Sequence, residues 1–185
     1  PGLTLGYAGR MLKQKGVEDL VTAFRIARRD RPDLRLLLAG RPDPENPASL
    51  TTGTLSGWDQ EDGITWMGHI EDVRTLWRRA DIACLPSRGG EGVPKSLLEA
   101  GACGRPVIAT DVPGCREVVA PDTSGLLVPP NDPDALARAI LALAENAERR
   151  RRLAVAIRDT VENHFAEPAI VGKTLALYDR LVGDK

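Results

Sequence analysis

Glu91 and Glu99, with seven residues between them, frame the stretch Glu91-Gly92-Val93-Pro94-Lys95-Ser96-Leu97-Leu98-Glu99, and Gly89 and Gly90 lead into it. Glycines at 89, 90 and 92 permit positive φ and a close backbone approach that a simple turn rarely needs so often. Pro94 suits a first helical position, where no amide donor is required. Ser96 to Cys103 holds good helix formers and should stop at Gly104 before Pro106. The first-turn amides of such a helix would face the glycine loop and favour phosphate or another anion. A carboxylate in the loop and another in the helix can each accept two hydroxyl hydrogens, so the pattern suits a ligand carrying both phosphate and sugar hydroxyls. The same residues also allow a plainer arrangement, with Glu99 paired to Lys95 one turn back and Glu91 solvated.

A second cluster lies near the start. Gly9-Arg10-Met11-Leu12-Lys13-Gln14-Lys15-Gly16 places three cations between two glycines. Arg10 could grip a phosphate as a fork and Lys15 as a point charge, or both could be solvated. His69 follows Gly68 at a strand end and either lines the same edge or is structural. Gly114 and Glu117 are secondary candidates in a turn before a short helix. Asp43-Pro44-Glu45 and Glu61-Asp62 are acidic pairs in loops, read as solvated rather than metal-binding.

The elements that must position these residues follow from periodicity. Leu3–Tyr7, Leu34–Ala39, Ile64–Met67, Asp81–Leu85, Pro106–Ala109 and Leu126–Val128 read as short buried strands. Between them Val17, Leu20, Val21, Phe24 and Ala27 mark a surface helix, Asp72 caps another through Ala80, and Cys115–Val119 forms a short one. Strand, helix, strand of these lengths implies parallel crossovers. The expected fold is therefore α/β, a Rossmann-like three-layer domain with a mostly parallel sheet of about six strands. The glycine loop then follows a strand's C-terminal end, the edge where ligands bind in open parallel sheets. Arg41–Asp62, rich in turn formers, reads as an excursion over the surface with a weak helix at Ala48–Trp58. Asp132-Pro133 starts a helix striped by Leu136, Ile140 and Leu143. Arg149 to Arg152 spread around a helix through Leu153, Ile157 and Val161 as a solvated face. Ala169–Val182 is a terminal helix that needs a surface to lie on.

The 185 residues, 42% hydrophobic, are enough for one core. Lys plus Arg is 25 against 26 for Asp plus Glu, so charge gives no attraction to nucleic acid or an anionic membrane. No apolar run approaches the roughly 20 residues of a membrane span. Cys84, Cys103 and Cys115 lack metal or disulfide spacing and fit a reducing cytoplasm. The abrupt start at Pro1 points to an excised piece.

Taken together, Gly9-Arg10 with Lys15-Gly16, the Glu91/Glu99 pair, Leu98-Glu99-Ala100, Gly104-Arg105-Pro106-Val107, and Gly114 with Glu117 resemble glycosyltransferase family 4 over essentially the whole chain. The resemblance implies a retaining enzyme of GT-B architecture, this chain being its C-terminal half: a sugar-nucleotide-binding domain over 1–185, with 165–185 a crossover-type helix and the N-terminal acceptor domain absent. It implies that Arg10 and Lys15 hold the diphosphate, Glu91 the donor sugar and Glu99 the ribose. Gly9 and the segment Gly92, Val93, Pro94, Lys95, Ser96 and Leu97 would face sugar and phosphates, and His69 and Ile70 the base. No cofactor or metal is implied; the donor would be a UDP- or GDP-sugar, carrying a hexose or N-acetylhexosamine to a lipid-linked or soluble glycan. The Glu91-Gly92-Val93-Pro94 form departs from the aromatic and second glycine common in the family. The implied location is cytoplasmic, with the full-length protein free or peripheral at the inner membrane face. The piece alone would bind donor without transferring sugar. A dinucleotide oxidoreductase is disfavoured because Gly6, Gly9 and Gly16 do not form GxGxxG. A non-catalytic nucleotide module and an inverting transferase or epimerase of the same architecture stay open.

Overall fold

The structure, a computed structural model, describes residues 2–90 and 92–183, so Glu91 lies outside the described residues. Six short apolar runs become strands: β1 (Thr4–Ala8), β2 (Arg35–Ala39), β3 (Ile64–Gly68), β4 (Ile82–Leu85), β5 (Val107–Thr110) and β6 (Gly125–Val128). β4 and β5 are buried at every position, as strands covered on both faces must be. All five strand pairings are parallel, in the order β3-β2-β1-β4-β5-β6. The chain thus builds outward from β1 to β3, then returns to start again on the other side of β1 with β4.

Helices supply the outer layers. α1 (Val17–Asp30) packs with α6 (Pro133–Glu145), and α4 (Lys95–Ala102) with α7 (Ala147–His164). Asp132 caps α6 by accepting the Ala135 amide at 2.8 Å, and Asn146 caps α7 through the Arg149 amide, also at 2.8 Å. α3 (Arg74–Trp77) is shorter than expected, although Asp72 does accept the Arg74 amide ahead of it. α5 (Pro113–Arg116) begins two residues before the expected Cys115, because Pro113 suits a first turn. α8 (Glu167–Gly183) exposes Ile170, Val171, Leu175, Leu177 and Tyr178. Among the described residues no helix is long and apolar enough to cross a membrane.

The Arg41–Asp62 excursion runs over the surface as expected, but it is anchored more firmly than its turn formers suggest. Its helix α2 (Thr52–Asp59) is capped by Thr51, and Leu50, Leu55 and Trp58 are buried in the core. Three backbone bonds tie the segment to the loop after β1: the Met11 amide to the Arg41 carbonyl, Lys13 to Ala48, and Leu50 to Met11. The excursion is a strap anchored by a few apolar residues.

Close helix packing gives the first test. A Cβ on Gly101 of α4 would lie 2.8 Å from Val161 Cγ2 and 3.0 Å from Ile157 Cγ1 on α7. Valine side chains are stiff and have little room to give. Gly101→Val is expected to lower stability by about 1–3 kcal/mol, read as a lower urea midpoint at unchanged slope.

Candidate functional site

The strand order reverses between β1 and β4, and the two strands are paired only at Leu5–Ile82 and Gly6–Ala83. Beyond those pairs they part, and a crevice opens at their C-terminal ends, as the doubly wound topology requires. Its floor is the end of β1. The Gly9 amide donates to the Ala39 carbonyl at 3.0 Å, and the buried Tyr7 hydroxyl donates to the Arg10 carbonyl at 3.0 Å. A side chain on Gly9 would strike that hydroxyl, its Cβ only 2.7 Å away.

The far rim is closed by backbone. The short 3₁₀ turn Lys13–Lys15 ends at Gly16, whose φ of 68° is left-handed. A Cβ there would lie 1.9 Å from the Pro86 carbonyl oxygen, so the loops after β1 and β4 touch where only glycine fits. The Arg88 amide donates to the Gln14 carbonyl at 2.9 Å. The Arg88 guanidinium forks onto Asp19 in the first turn of α1, at 2.9 and 2.8 Å. Thr110 at the end of β5 donates its hydroxyl to the Ser87 carbonyl, which pins the same loop from the other side.

Two clefts lie side by side in this frame and share Ala8, Gly9 and Arg10. One, about 390 Å³, is lined by Arg10, Lys15, Pro94, Lys95, Ser96 and Glu99. The other, about 660 Å³, runs past Gly40, Arg41, Asp43, His69 and Ile70. Most sequence-predicted residues therefore converge: Gly9, Arg10, Lys15, Pro94, Lys95, Ser96 and Glu99 on one cleft, and His69 and Ile70 beside Gly9 and Arg10 on the other. Gly92 and Val93 are exposed in the loop before α4, and neither lines either of these two clefts. Leu97 is buried in the core, so only its backbone could serve a ligand. Gly114 is buried in α5 and Glu117 exposed at its end, and neither lines either of these two clefts.

Pro94 is the N-cap of α4, with φ −73° and ψ 116°, not its first helical residue. It offers no side-chain acceptor, and its carbonyl accepts the Leu97 amide at 3.1 Å. The Lys95 and Ser96 amides have no acceptor among the described residues. They remain open to an anion beside Lys95 and near Lys15 and Arg10.

Lys95 and Glu99 form no ion pair, contrary to the plainer arrangement. Burial raises the Glu99 pKa above its ordinary value, and the Lys95 charge opposes that only in part. A half-buried carboxylate beside open amides is suited to accept ligand hydroxyls. The acidic loop pairs meet arginines: Asp43 holds Arg10 at 3.2 Å, Glu61 holds Arg25 and Asp62 holds Arg28. Among the described residues no three His, Cys, Asp or Glu side chains are grouped to hold a metal. Sequence reasoning missed Gly40 and the Asp19–Arg88 fork, and it read Asp43 as solvated where the structure pairs it with Arg10. Only Gly40, bounding a strand, left a local signal.

Comparison with known proteins is consistent with this geometry. Residues 2–146 match the family model described as "Glycosyl transferases group 1". A phosphatidyl-myo-inositol mannosyltransferase from Mycobacterium leprae is 33% identical over 166 residues, covering 88% of this chain and 43% of that protein. A sucrose-phosphate synthase from Thermosynechococcus elongatus superposes with a TM-score of 0.84 at 33% identity, over 100% of this chain and 46% of that one. The Anabaena protein HepE, crystallised with UDP, shares the fold at 22% identity with a TM-score of 0.83, over 95% of this chain and 49% of that one. The chain spans less than half the length of the curated relatives it matches.

The Gly16–Pro86 contact is testable without a ligand. Gly16→Ala adds a Cβ onto a carbonyl in left-handed backbone, and is expected to cost about 1–3 kcal/mol of stability by urea unfolding. Gly92→Ala, with nothing within 4 Å of its added Cβ, is the control and should stay near wild type.

Proposed function

The chain belongs to the glycosyl transferases group 1, and from that we propose that its crevice is the donor site of a nucleotide-sugar-dependent transferase. The observation that carries this is the convergence of Arg10, Lys15, Lys95 and the open α4 amides on one cleft, with the Glu99 carboxylate one turn deeper. In this reading the diphosphate lies over Gly9 and Arg10 and is held by Arg10, Lys15 and the Lys95 and Ser96 amides. Glu99 accepts the ribose hydroxyls, the base lies toward His69 and Ile70, and Glu91 contacts the donor sugar. Gly114 and Glu117 are secondary. HepE's UDP and the mannosyltransferase's lipid acceptor support a nucleoside diphosphate donor and a lipid-linked or other glycan acceptor.

The chemistry asked of these groups is limited. The bond from the anomeric carbon to the diphosphate oxygen breaks, an acceptor hydroxyl oxygen bonds to that carbon on the same face with retention, and its proton leaves with the diphosphate. Negative charge grows on the leaving diphosphate, and preorganised cations and amides stabilise it most as it forms. These groups do the work a metal would otherwise do, so donor binding is expected to be indifferent to chelator. The acceptor and its activating groups belong to an N-terminal domain facing this one, and the 185 residues alone bind donor without turnover.

Calorimetric titration with UDP, GDP, UDP-N-acetylhexosamine and NAD, with and without chelator, tests the reading. One nucleoside diphosphate should bind, and Glu99→Ala and Lys15→Ala should each weaken it by about tenfold or more. Tight NAD binding, or no loss in either variant, would refute it. The pH dependence follows from the raised Glu99 pKa. Accepting hydroxyls needs the ionised form, so affinity should fall as pH drops through a pKa raised above glutamate's ordinary value, and Glu99→Gln should reduce that fall. An equal fall in Glu99→Gln would place the titrating group elsewhere.

A further inference from the structure

The strap over the loop after β1 carries a carboxylate to Arg10, which lines both clefts. We propose that Asp43 is a positioning residue that competes with the donor's diphosphate for Arg10, and so sets affinity for phosphate-bearing ligands in particular. This rests on the donor-site reading above.

Asp43 is held in place by its surroundings. Its amide donates to Ser49 Oγ at 2.9 Å, and its carbonyl accepts the Asn46 amide at 2.9 Å. Ser49 forms an antiparallel bridge with Leu12, and the Met11 and Lys13 amides bond to the Arg41 and Ala48 carbonyls. Strap and loop are therefore one unit, and the carboxylate reaches Arg10 without ordering a mobile segment. The pair itself is a single contact, Arg10 Nη1 to Asp43 Oδ2 at 3.2 Å, with the arginine side chain 59% and the aspartate 32% exposed. A monodentate, solvated pair of this kind is weak. A diphosphate offers a guanidinium two oxygens and more charge, so it wins the arginine. It must still displace a carboxylate that repels it from the adjoining cleft, which shares Arg10. A nucleoside lacking phosphate takes nothing from Arg10 and meets no such repulsion.

The test is calorimetric titration of wild type, Asp43→Asn, Asp43→Glu, Arg10→Ala and Arg10→Ala/Asp43→Asn. Each is titrated with UDP and GDP and with uridine and guanosine, after matched unfolding midpoints show that each variant is folded. Asp43→Asn should bind the preferred nucleoside diphosphate roughly three- to tenfold more tightly and the matching nucleoside unchanged. Asp43→Glu should return toward wild type, and the gain should largely vanish when Arg10 is absent. A purely structural role for Asp43 would not increase affinity. Unchanged or weaker diphosphate binding in Asp43→Asn, an equal gain for the nucleoside, or a full gain without Arg10 would overturn the inference. Failure of wild type to bind any nucleoside diphosphate would instead overturn the donor-site reading, and this inference with it.

Discussion

Backbone contact between Gly16 and the Pro86 carbonyl is the constraint on which the site depends. β1 and β4 stop pairing before their C-terminal ends, so nothing in the sheet fixes the distance across the crevice. The two loops fix it themselves. A left-handed glycine lets the turn carrying Lys15 settle on the start of the loop that leads to α4, with no side chain between. The Asp19–Arg88 fork then holds that approach from outside, with Asp19 only 15% exposed, so this pair is screened less than a surface pair and aligned by two bonds. Thr110 holds the next residue from β5. Cations from one half and amides from the other thus share one cleft at a set spacing.

The electrostatics of the cleft follow from depth. Glu99 sits one turn into α4, past the open first-turn amides, and loses water without gaining a fixed partner among the described residues. Lys95 remains exposed at the helix start and acts on Glu99 only through space. A carboxylate in that position favours a ligand that replaces water with hydroxyl donors. Arginines elsewhere act differently. Arg31 and Arg150 both donate to the Ala144 carbonyl near the end of α6, and Arg149 pairs with Asp122. Part of a run that reads as a solvated face is therefore structural, closing a helix end whose carbonyls have no intrahelical donors.

Strands and long helices were legible because burial on both faces and 3.6-residue stripes write themselves into composition. The helix α4 was legible for the same local reason. What depends on distance in sequence was not. Arg10 finds Asp43 across 33 positions and Arg88 finds Asp19 across 69, and no local pattern distinguishes these partners from other charges. The strap reads as surface because its turn formers outnumber its apolar residues, and most of it is, yet Leu50, Leu55 and Trp58 suffice to anchor it to the core. Leu97 shows the finer limit. Its place in a loop-and-helix motif suggests ligand contact, whereas its spacing with Ala100 and Gly101 puts its side chain in the core, and the structure follows the spacing.

The shared lining of the two clefts constrains any ligand that fills both. Ala8, Gly9 and Arg10 belong to each, so a ligand reaching from the His69 side to the Glu99 side must cross them. Gly9 has no room for a side chain because the Tyr7 hydroxyl lies where a Cβ would go. The crossing group therefore meets bare backbone and one guanidinium, which suits a compact anion better than a ring or an alkyl chain. Open space on the His69 side, the Glu99 carboxylate on the other and the Arg10 guanidinium between them make the order of parts that the proposed donor has along its length. That match is a stronger argument than the presence of any one charged residue, because it follows from how the strands diverge as well as from which side chains they carry.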